Sequence, residues 1–215
     1  RHHSLYGNAI KSDTFRKIHV MRVETVPIFP SLIHQFKIPC FDVIKDSLIK
    51  DILEYKDNNP GVQKSNIGGY QSKDKFWKTK KFKEYFEYID INIKNVLMGI
   101  VNEEVNIQNA WFNINSKKDY NFPHIHPGSI FSVVLWVKIP DNSGSLAFCN
   151  PTFKSTNSIL FETLNDKLRE EYVMGNEVHI TPEVGNIIIF PGYLEHYVSS
   201  TENKGDRISI AINYA

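Results

Sequence analysis

Apolar residues recur every three or four positions over residues 42–55, with polar residues between them. The positions that carry this spacing are Ile44, Leu48, Ile52 and Tyr55. Such a period predicts an amphipathic helix with one face turned toward a core. Asp42 can cap the first turn, and the Asn-Asn-Pro-Gly run at residues 58–61 predicts where the helix ends.

A second and longer helix is predicted over residues 73–99, with Gly99 after its last turn. Its apolar face is formed by Phe82, Tyr85, Phe86, Ile89, Ile93, Val96 and Leu97. The segment between the two helices, residues 65–72, is polar and contains glycine, which is typical of a loop. Ahead of the first helix, residues 23–39 alternate between apolar and polar, and the prolines around the short apolar run at residues 26–30 indicate an edge strand and a turn in this stretch.

Beyond residue 100 the pattern changes to short β-like runs separated by turn residues. Strands are predicted at residues 105–115, 130–139, 144–148, 177–181, 186–190, 195–199 and 207–214. Several short strands in series are typical of a sandwich or barrel. We therefore expect a mainly β fold with flanking helices in a single domain of residues 21–215. Its helical part spans about residues 42–99 and its β core about residues 101–215.

The first twenty residues differ from this plan. Residues 1–20 carry three histidines but no clear apolar period, and they lack the flanked apolar stretch of a secretory signal. Because Met21 can be the native start, we interpret the stretch as either a remnant of the expression vector or a disordered arm. No function is assigned to its histidines.

Composition narrows the classes of partner and compartment. The 25 Lys and Arg residues nearly balance the 24 Asp and Glu residues, so no charge footprint indicates a nucleic acid or a membrane surface. No run approaches the ~18 apolar residues of a membrane span. Cys40 and Cys149 are too few for a disulfide framework, and we expect a cytoplasmic protein. The eight histidines remain as candidates for chemistry.

His124 and His126 stand two residues apart, just before a predicted strand. In an extended segment both imidazoles point to the same side, and imidazole is the commonest protein ligand of first-row metals. His196 follows 72 residues after His124, and in a barrel of two facing sheets an early pair and a late histidine can converge. Arg207 and Ser209, again on one face of a strand, offer a fork of donors and a hydroxyl to a carboxylate.

These blocks resemble the iron(II)- and 2-oxoglutarate-dependent oxygenases, and more narrowly a family of 2OG-Fe(II) oxygenases known from bacteria and marine phages. The matching stretches are residues 26–30, 69–72, 110–115, 120–129, 190–198 and 206–213. They cover nearly the whole chain after Met21, and the two long blocks around the histidines, residues 120–129 and 190–198, are the ones specific to this family. The resemblance implies a double-stranded β-helix, the cupin-like jelly roll, with the N-terminal helices packed on one sheet.

Carried over residue by residue, the resemblance places the iron(II) ligands at His124, His126 and His196. Arg207 falls on the arginine that binds the C5 carboxylate of 2-oxoglutarate, and Ser209 completes the Arg-x-Ser pair. The implied activity is that of an Fe(II)- and 2-oxoglutarate-dependent dioxygenase, a hydroxylase that consumes O2. It would couple decarboxylation of 2-oxoglutarate to succinate with oxidation of a substrate.

Three asparagines near these blocks are candidates for neighbouring polar contacts. Asn113, Asn115 and Asn121 can hydrogen-bond 2-oxoglutarate or orient a ligand imidazole. The loop at residues 65–72 can cover the mouth of the site. Both assignments are hypotheses that rest on position and polarity.

Several alternatives stay open. His126 stands where the superfamily usually has a carboxylate, and a rival alignment puts His126 first and Gly128 at that position, as in halogenases in which a halide fills the vacancy. The chain can also be a three-histidine dioxygenase that does not use 2-oxoglutarate, or a non-catalytic jelly-roll binding module with a structural metal. The substrate, a protein or peptide side chain or a small molecule, stays open, as does the oligomeric state, a homodimer included.

Overall fold

The computed structural model describes residues 25, 27, 29–152, 163–171, 175–200 and 202–215. The chain divides into two units, Arg1–Pro30 and Ser31–Ala215. The first unit lies almost wholly outside the described residues, and so do the prediction for residues 1–20 and two residues, Val26 and Ile28, of the proline-containing run at residues 26–30. All elements named below belong to the second unit.

Three helices are found among the described residues: α1 at Phe41–Asn58, α2 at Lys80–Leu97 and α3 at Asp166–Glu171. The end of α1 confirms the stop predicted from the Asn-Asn-Pro-Gly run. Its start differs from the prediction, because Asp42 lies inside the first turn and does not cap the helix. None of the residues of α3 is buried, so no apolar period marks that helix in the sequence.

The helix predicted over residues 73–99 is in fact two elements. A 3₁₀ turn at Phe76–Lys78 is followed by Thr79, whose backbone is extended, and only then does α2 begin. The break has a packing cause. Residues six apart in one continuous helix point about 120° away from each other, whereas Phe76 and Phe82 are both buried and touch edge-on, with 4.9 Å between ring centroids.

Eleven strands among the described residues form two antiparallel sheets. They are β1 His34–Lys37, β2 Asn66–Ile67, β3 Tyr70–Gln71, β4 Ile107–Asn115, β5 Tyr120–His124, β6 Phe131–Lys138, β7 Leu146–Cys149, β8 Glu177–Ile180, β9 Asn186–Pro191, β10 His196–Val198 and β11 Arg207–Tyr214. The six-stranded sheet has the order β1-β9-β6-β11-β4-β3, and the five-stranded sheet β2-β5-β10-β7-β8. Because the chain passes back and forth between the sheets, this is the predicted jelly roll, and the fold class is confirmed.

Three strands have no counterpart in the prediction from sequence. β5 contains Pro123, which argues against a strand on local grounds. β2 and β3 both lie within residues 65–72, which the composition had indicated as a loop. Each of the three depends on its partner: β2 pairs with β5, β3 with β4, and β5 also with β10. Pairing with distant strands therefore outweighs the weak local pattern.

Alternate residues of β11 face two different environments. One set joins the large core that also contains buried residues of α1 and α2, and it consists of Ile208, Ile210, Ile212 and Tyr214. This core confirms that the helices pack on the six-stranded sheet. Ser209 and Asn213, from the other set, line a cavity together with residues of the five-stranded sheet. β11 thus turns an apolar face to the helices and a polar face to the interior between the sheets.

Two expectations from composition concern the part of the chain that is described. No helix there is long and apolar enough to cross a bilayer. The thiols of Cys40 and Cys149 are both free. Burial, helped by the neighbouring Glu195, raises the pKa of Cys149 to about 11, so its thiol stays protonated and is a poor nucleophile at neutral pH.

Candidate metal centre

Three histidines converge between the two sheets. His124 ends β5, and it lies directly opposite His196 at the start of β10. His126 lies in the turn that follows, where its backbone N–H donates to the carbonyl of Gly192 at 2.9 Å. One ring nitrogen from each histidine lies within 4.8 Å of the other two. The structure therefore brings together the three histidines that the sequence had singled out.

Hydrogen bonds fix the ring orientation of His124 and His196. Nδ1 of His124 donates to the carbonyl of Phe122 at 2.6 Å, and Nδ1 of His196 donates to the carbonyl of Leu194 at 2.8 Å. Because a carbonyl oxygen only accepts, each neutral ring carries its hydrogen on Nδ1 and a lone pair on Nε2. Both Nε2 atoms are therefore prepared to bind a cation.

His126 has a different set of neighbours. Its Nδ1 lies 3.0 Å from Nδ2 of Asn213, and its Nε2 lies 3.2 Å from Nε2 of His196. Its ring stacks on Trp111, with 5.4 Å between centroids and 23° between planes. Phe190 packs against the ring of His196, at 4.6 Å between centroids. Aromatic walls thus hold two of the three imidazoles in place.

Burial keeps these imidazoles neutral. It lowers the pKa of His126 to about 4 and that of His196 to about 3, with a smaller contribution from the neighbouring His124 in each case. Burial also lowers the pKa of His124, against the opposing effect of its bond to a backbone carbonyl. Neutral imidazole is the form that binds metals, and three such donors suit iron, nickel, copper or zinc. The residues present therefore fit a divalent ion of this class.

The lowered pKa values predict that acid destabilises the metal-free protein. Below pH 6.5 the unfolded chain protonates these histidines while the folded chain does not, so stability falls as the pH drops from 6.5 toward about 4. At pH 5, His126 and His196 are each expected to cost about 2 kcal/mol. Urea unfolding at both pH 7 and pH 5 measures this loss. His196→Asn should lose less stability over that interval than the wild type, and an equal loss would contradict the assignment.

Gly192 is required by the turn that carries His126. A Cβ at this position would lie 2.3 Å from the carbonyl oxygen of Ser129 and 3.1 Å from that of His126. We expect Gly192→Ala to displace the turn, to lower the free energy of unfolding by about 1–3 kcal/mol and to weaken metal binding. In the control, Gly175→Ala, the new Cβ would meet nothing closer than 3.7 Å. Urea unfolding and Zn(II) titration compare the two, and an equal effect in both variants would refute this role of Gly192.

The geometry also bears on the rival ligand set of His126 and Gly128. A Cβ at Gly128 would have Nε2 of Gln108 as its nearest neighbour, at 4.0 Å, and no imidazole of the cluster lies that close. Position 124, by contrast, places a ring nitrogen inside the cluster. Glu195, the carboxylate next to His196, is exposed. The arrangement favours three histidines over two histidines and a vacancy.

Arg207 is a buried cation in the interior. It is 1% exposed, and its Nε and Nη1 have no hydrogen-bond partner among the described residues. Burial lowers the pKa of its guanidinium to about 10. Ser209, the next residue on the same face of β11, lines the cavity beside the histidines. Because a buried cation without a counter-ion is strongly unfavourable, this position is suited to binding an anion.

The three candidate asparagines lie at different places around this interior. Asn115 is directly opposite Arg207 and Asn113 is directly opposite Ser209 in the register of β4 with β11. Oδ1 of Asn113 is buried without a partner among the described residues. Asn121 lies on β5, in the opposite sheet, and lines the cavity together with Asn113. Asn113 and Asn121 are therefore within the cavity wall, whereas Asn115 lies opposite the buried arginine in the strand register.

A small cavity and a wider groove meet at the histidines. The inner cavity, of about 40 Å³, lies between the sheets. The outer groove, of about 470 Å³, is lined by Lys64, Gln71, Asp74, Gln108 and Asn109 beside the rings of His124 and His126. Trp111 and Ser65 border both spaces. Oγ of Ser65 lies 3.5 Å from Nε2 of His124, so the segment at residues 65–72 reaches the mouth of the site.

Four further side chains complete the site without having been assigned a role from the sequence. They are Asn109, Trp111, Ser132 and Asn213. A signal for Asn213 was present, because it lies six residues after Arg207 on the same strand and therefore shares its face. Trp111 shares a face with Asn113 in the same way. The position of Ser132 relative to the histidines depends on pairing between strands and has no local signal.

A comparison with protein families agrees with this geometry. Residues 109–213 match the family model described as "Putative 2OG-Fe(II) oxygenase". The matched segment runs from β4 to β11 and contains the three histidines, Arg207 and Ser209. The resemblance seen in the sequence is thereby confirmed. None of the curated proteins is similar enough in sequence to match the chain.

Solved structures share the fold at low sequence identity. A prolyl-4-hydroxylase of Pseudomonas putida is 14% identical, with 86% of this chain and 92% of that chain covered and a TM-score of 0.57. HygX of Streptomyces hygroscopicus, with nickel and 2-oxoglutarate bound, is 11% identical, with 86% of this chain and 82% of that chain covered and a TM-score of 0.62. A viral collagen prolyl hydroxylase of Paramecium Bursaria Chlorella virus-1 is 13% identical, with 85% of this chain and 94% of that chain covered and a TM-score of 0.56. These similarities establish the fold.

Proposed function

Since residues 109–213 match a 2OG-Fe(II) oxygenase family and the chain has the fold of such enzymes, we propose that it is an Fe(II)- and 2-oxoglutarate-dependent dioxygenase that hydroxylates its substrate. The iron(II) ligands in this proposal are His124, His126 and His196. Arg207 and Ser209 hold 2-oxoglutarate. Bound together with O2, these cofactors supply the oxidation of a C–H bond coupled to decarboxylation of 2-oxoglutarate to succinate.

The observation that carries this proposal is the buried guanidinium of Arg207, whose Nε and Nη1 have no hydrogen-bond partner in the described part of the chain. A structural metal site has no use for a buried cation, whereas a dicarboxylate co-substrate supplies the missing counter-charge. An arginine fork binds a carboxylate through two parallel hydrogen bonds, and the hydroxyl of Ser209 adds a further donor. Nε1 of Trp136, opposite Ser209 in the strand register, is another buried donor without a partner among the described residues.

The chain's own residues perform three tasks in this proposal. His124 and His196 present lone pairs whose direction is set by backbone carbonyls. Trp111 and Phe190 surround the rings with apolar surface, which keeps bulk water away from the site. Three neutral imidazoles leave the charge of a divalent ion uncompensated, and this favours an anionic co-substrate such as the one that Arg207 would bind.

The outer groove is the proposed substrate site. Its charged side chains are Lys64 and Asp74, one of each sign, and the other polar groups are amides, hydroxyls and imidazoles. A groove without net charge favours a substrate without net charge. We therefore favour a neutral peptide side chain or a small polar molecule over a nucleic acid, which requires a basic surface.

A product assay tests the proposal. Protein purified without oxygen is loaded with Fe(II) and given 2-oxoglutarate, and succinate and O2 consumption are then measured together. We expect both to proceed at matching rates, slowly in the absence of substrate. Uptake of O2 without succinate would instead identify a three-histidine dioxygenase that does not use 2-oxoglutarate. Iron-loaded protein that produces neither would support the non-catalytic binding module.

A further inference from the structure

The three histidines differ in what faces their Nδ1 atoms. Nδ1 of His124 and that of His196 face backbone carbonyls, which only accept. Nδ1 of His126 faces the side-chain amide of Asn213 at 3.0 Å. An amide can present either an N–H or an oxygen, depending on its rotation about the Cβ–Cγ bond. The orientation of Asn213 therefore decides which nitrogen of His126 carries the hydrogen.

In the orientation found here the amide presents its N–H. Oδ1 of Asn213 accepts from the hydroxyl of Ser132 at 2.8 Å, and Nδ2 donates to Oδ1 of Asn109 at 2.9 Å as well as to His126. Since Nδ1 of His126 is then an acceptor, the neutral ring carries its hydrogen on Nε2. That N–H points to the lone pair of Nε2 of His196 at 3.2 Å, which explains the close approach of two buried neutral rings.

This tautomer of His126 has no lone pair on Nε2 for a metal. Coordination through Nε2 requires the hydrogen on Nδ1 and an acceptor facing it, and a half-turn of the Asn213 amide puts Oδ1 there. The partners accommodate the reversal, because the hydroxyl of Ser132 can accept as well as donate and the amide of Asn109 can turn in the same sense. No atom is gained or lost, since the hydrogen moves from Nε2 to Nδ1 by exchange with water.

We propose that Asn213 is a positioning residue that couples metal binding to the tautomer of His126, by reversing its hydrogen bonds with Ser132 and Asn109. The inference rests on the proposed metal site and adds to it, because two ligands are preset while the third becomes a ligand only as the ion binds. Asn213 is 4% exposed, so bulk water does not compete for its amide. Stacking on Trp111 holds the imidazole in place in both tautomers.

Nitrogen-15 NMR of the imidazoles tests the inference in the wild-type protein. In the metal-free state we expect His124 and His196 to carry their hydrogen on Nδ1, and His126 to carry it on Nε2. With Zn(II), a redox-inert probe, all three rings should carry the hydrogen on Nδ1. A metal-free protein in which His126 already has its hydrogen on Nδ1 would overturn the inference.

Two substitutions test it through metal affinity. Asn213→Asp presents only acceptors, so the metal-free variant should hold His126 with its hydrogen on Nδ1 and bind Zn(II) about ten-fold more tightly than the wild type or better. Asn213→Leu removes the partner and should bind Zn(II) about 10–100-fold more weakly. If Asn213→Leu does not fold, the aspartate variant and the NMR experiment still test whether Asn213 sets the tautomer of His126.

Asn186→Leu is the matched control. Asn186 is 5% exposed, close to the 4% of Asn213, and its amide donates to Glu183 at 3.1 Å instead of to a histidine. It should bind Zn(II) as the wild type does. An aspartate at position 213 that leaves both the tautomer and the affinity unchanged would refute the role of Asn213 alone. A wild-type protein that binds no Zn(II) would overturn the metal site itself and this inference with it.

Discussion

Replacing Arg207 with methionine is expected to stabilise the ligand-free protein and to abolish its response to 2-oxoglutarate. The guanidinium is 1% exposed, and its Nε and Nη1 lack partners in the described part of the chain. Because an unpaired buried cation is unfavourable, methionine should raise the free energy of unfolding by about 1–4 kcal/mol. At 100 times its dissociation constant, 2-oxoglutarate should stabilise the wild type by about 2.7 kcal/mol and the variant not at all. Urea unfolding with and without 2-oxoglutarate measures both effects.

Arg169→Met is the matched control for charge and side-chain length. Arg169 lies on α3 and pairs with Asp166 near the surface, and such a pair contributes only ~0–1 kcal/mol. This variant should unfold much as the wild type does and should still be stabilised by 2-oxoglutarate. If Arg207→Met proves less stable than the wild type and still responds to 2-oxoglutarate, the guanidinium is not the anion site.

The His196→Ala variant is expected to lose about 100-fold or more in metal affinity and to form no measurable succinate. The Nε2 lone pair of His196 is already set by the bond from Nδ1 to the carbonyl of Leu194. Loss of a hydrogen-bond partner of a ligand alone costs about 10–100-fold, so loss of the ligand should cost more. Titration of the metal-free protein with Zn(II) measures the affinity independently of turnover.

His179→Ala controls for the loss of a histidine from the same sheet. His179 lies on β8 and is exposed, with Nδ1 at 2.8 Å from Oγ of Ser145 and Nε2 at 3.3 Å from Glu177. None of these groups belongs to the metal cluster. We expect this variant to keep wild-type metal affinity and succinate formation. Equal losses in the two variants, or no loss in either, would show that the three converging rings do not form the metal site.

Most strands could be predicted because they carry their own apolar alternation. β11 has the predicted bounds, and the other strands predicted after residue 100 differ from their predictions by no more than two residues. The misses share one cause. The break at Thr79 exists because Phe76 must pack beside Phe82, and β5 exists because β10 and β2 pair with it. The pairing of β5 joins distant parts of the chain, and the contact between Phe76 and Phe82 depends on the core into which both rings pack, so a local pattern contains neither.

The candidate site divides in the same way. The shared face of Arg207 and Ser209 follows from alternation along one strand, which is a property of the covalent chain. The convergence of His196 with His124 and His126 was expected from a barrel of two facing sheets, and the pairing of β10 with β5 brings it about. The amino-acid sequence was thus enough to predict that these three histidines lie close together. Metal binding by them and anion binding by Arg207 stay predictions. The resemblance to the 2OG-Fe(II) oxygenases rests on the same short blocks of sequence.

Tertiary structure decided what faces each of these groups. Asn213 reaches His126 from β11, Ser132 reaches Asn213 from β6, and Asn109 completes the chain of hydrogen bonds from β4. The joined residues are between 81 and 104 positions apart in sequence. The tautomer proposed for His126 therefore depends on how three strands pack together, because the side chains of this hydrogen-bonded chain come from β4, β6 and β11 and none of them from the segment that carries His126.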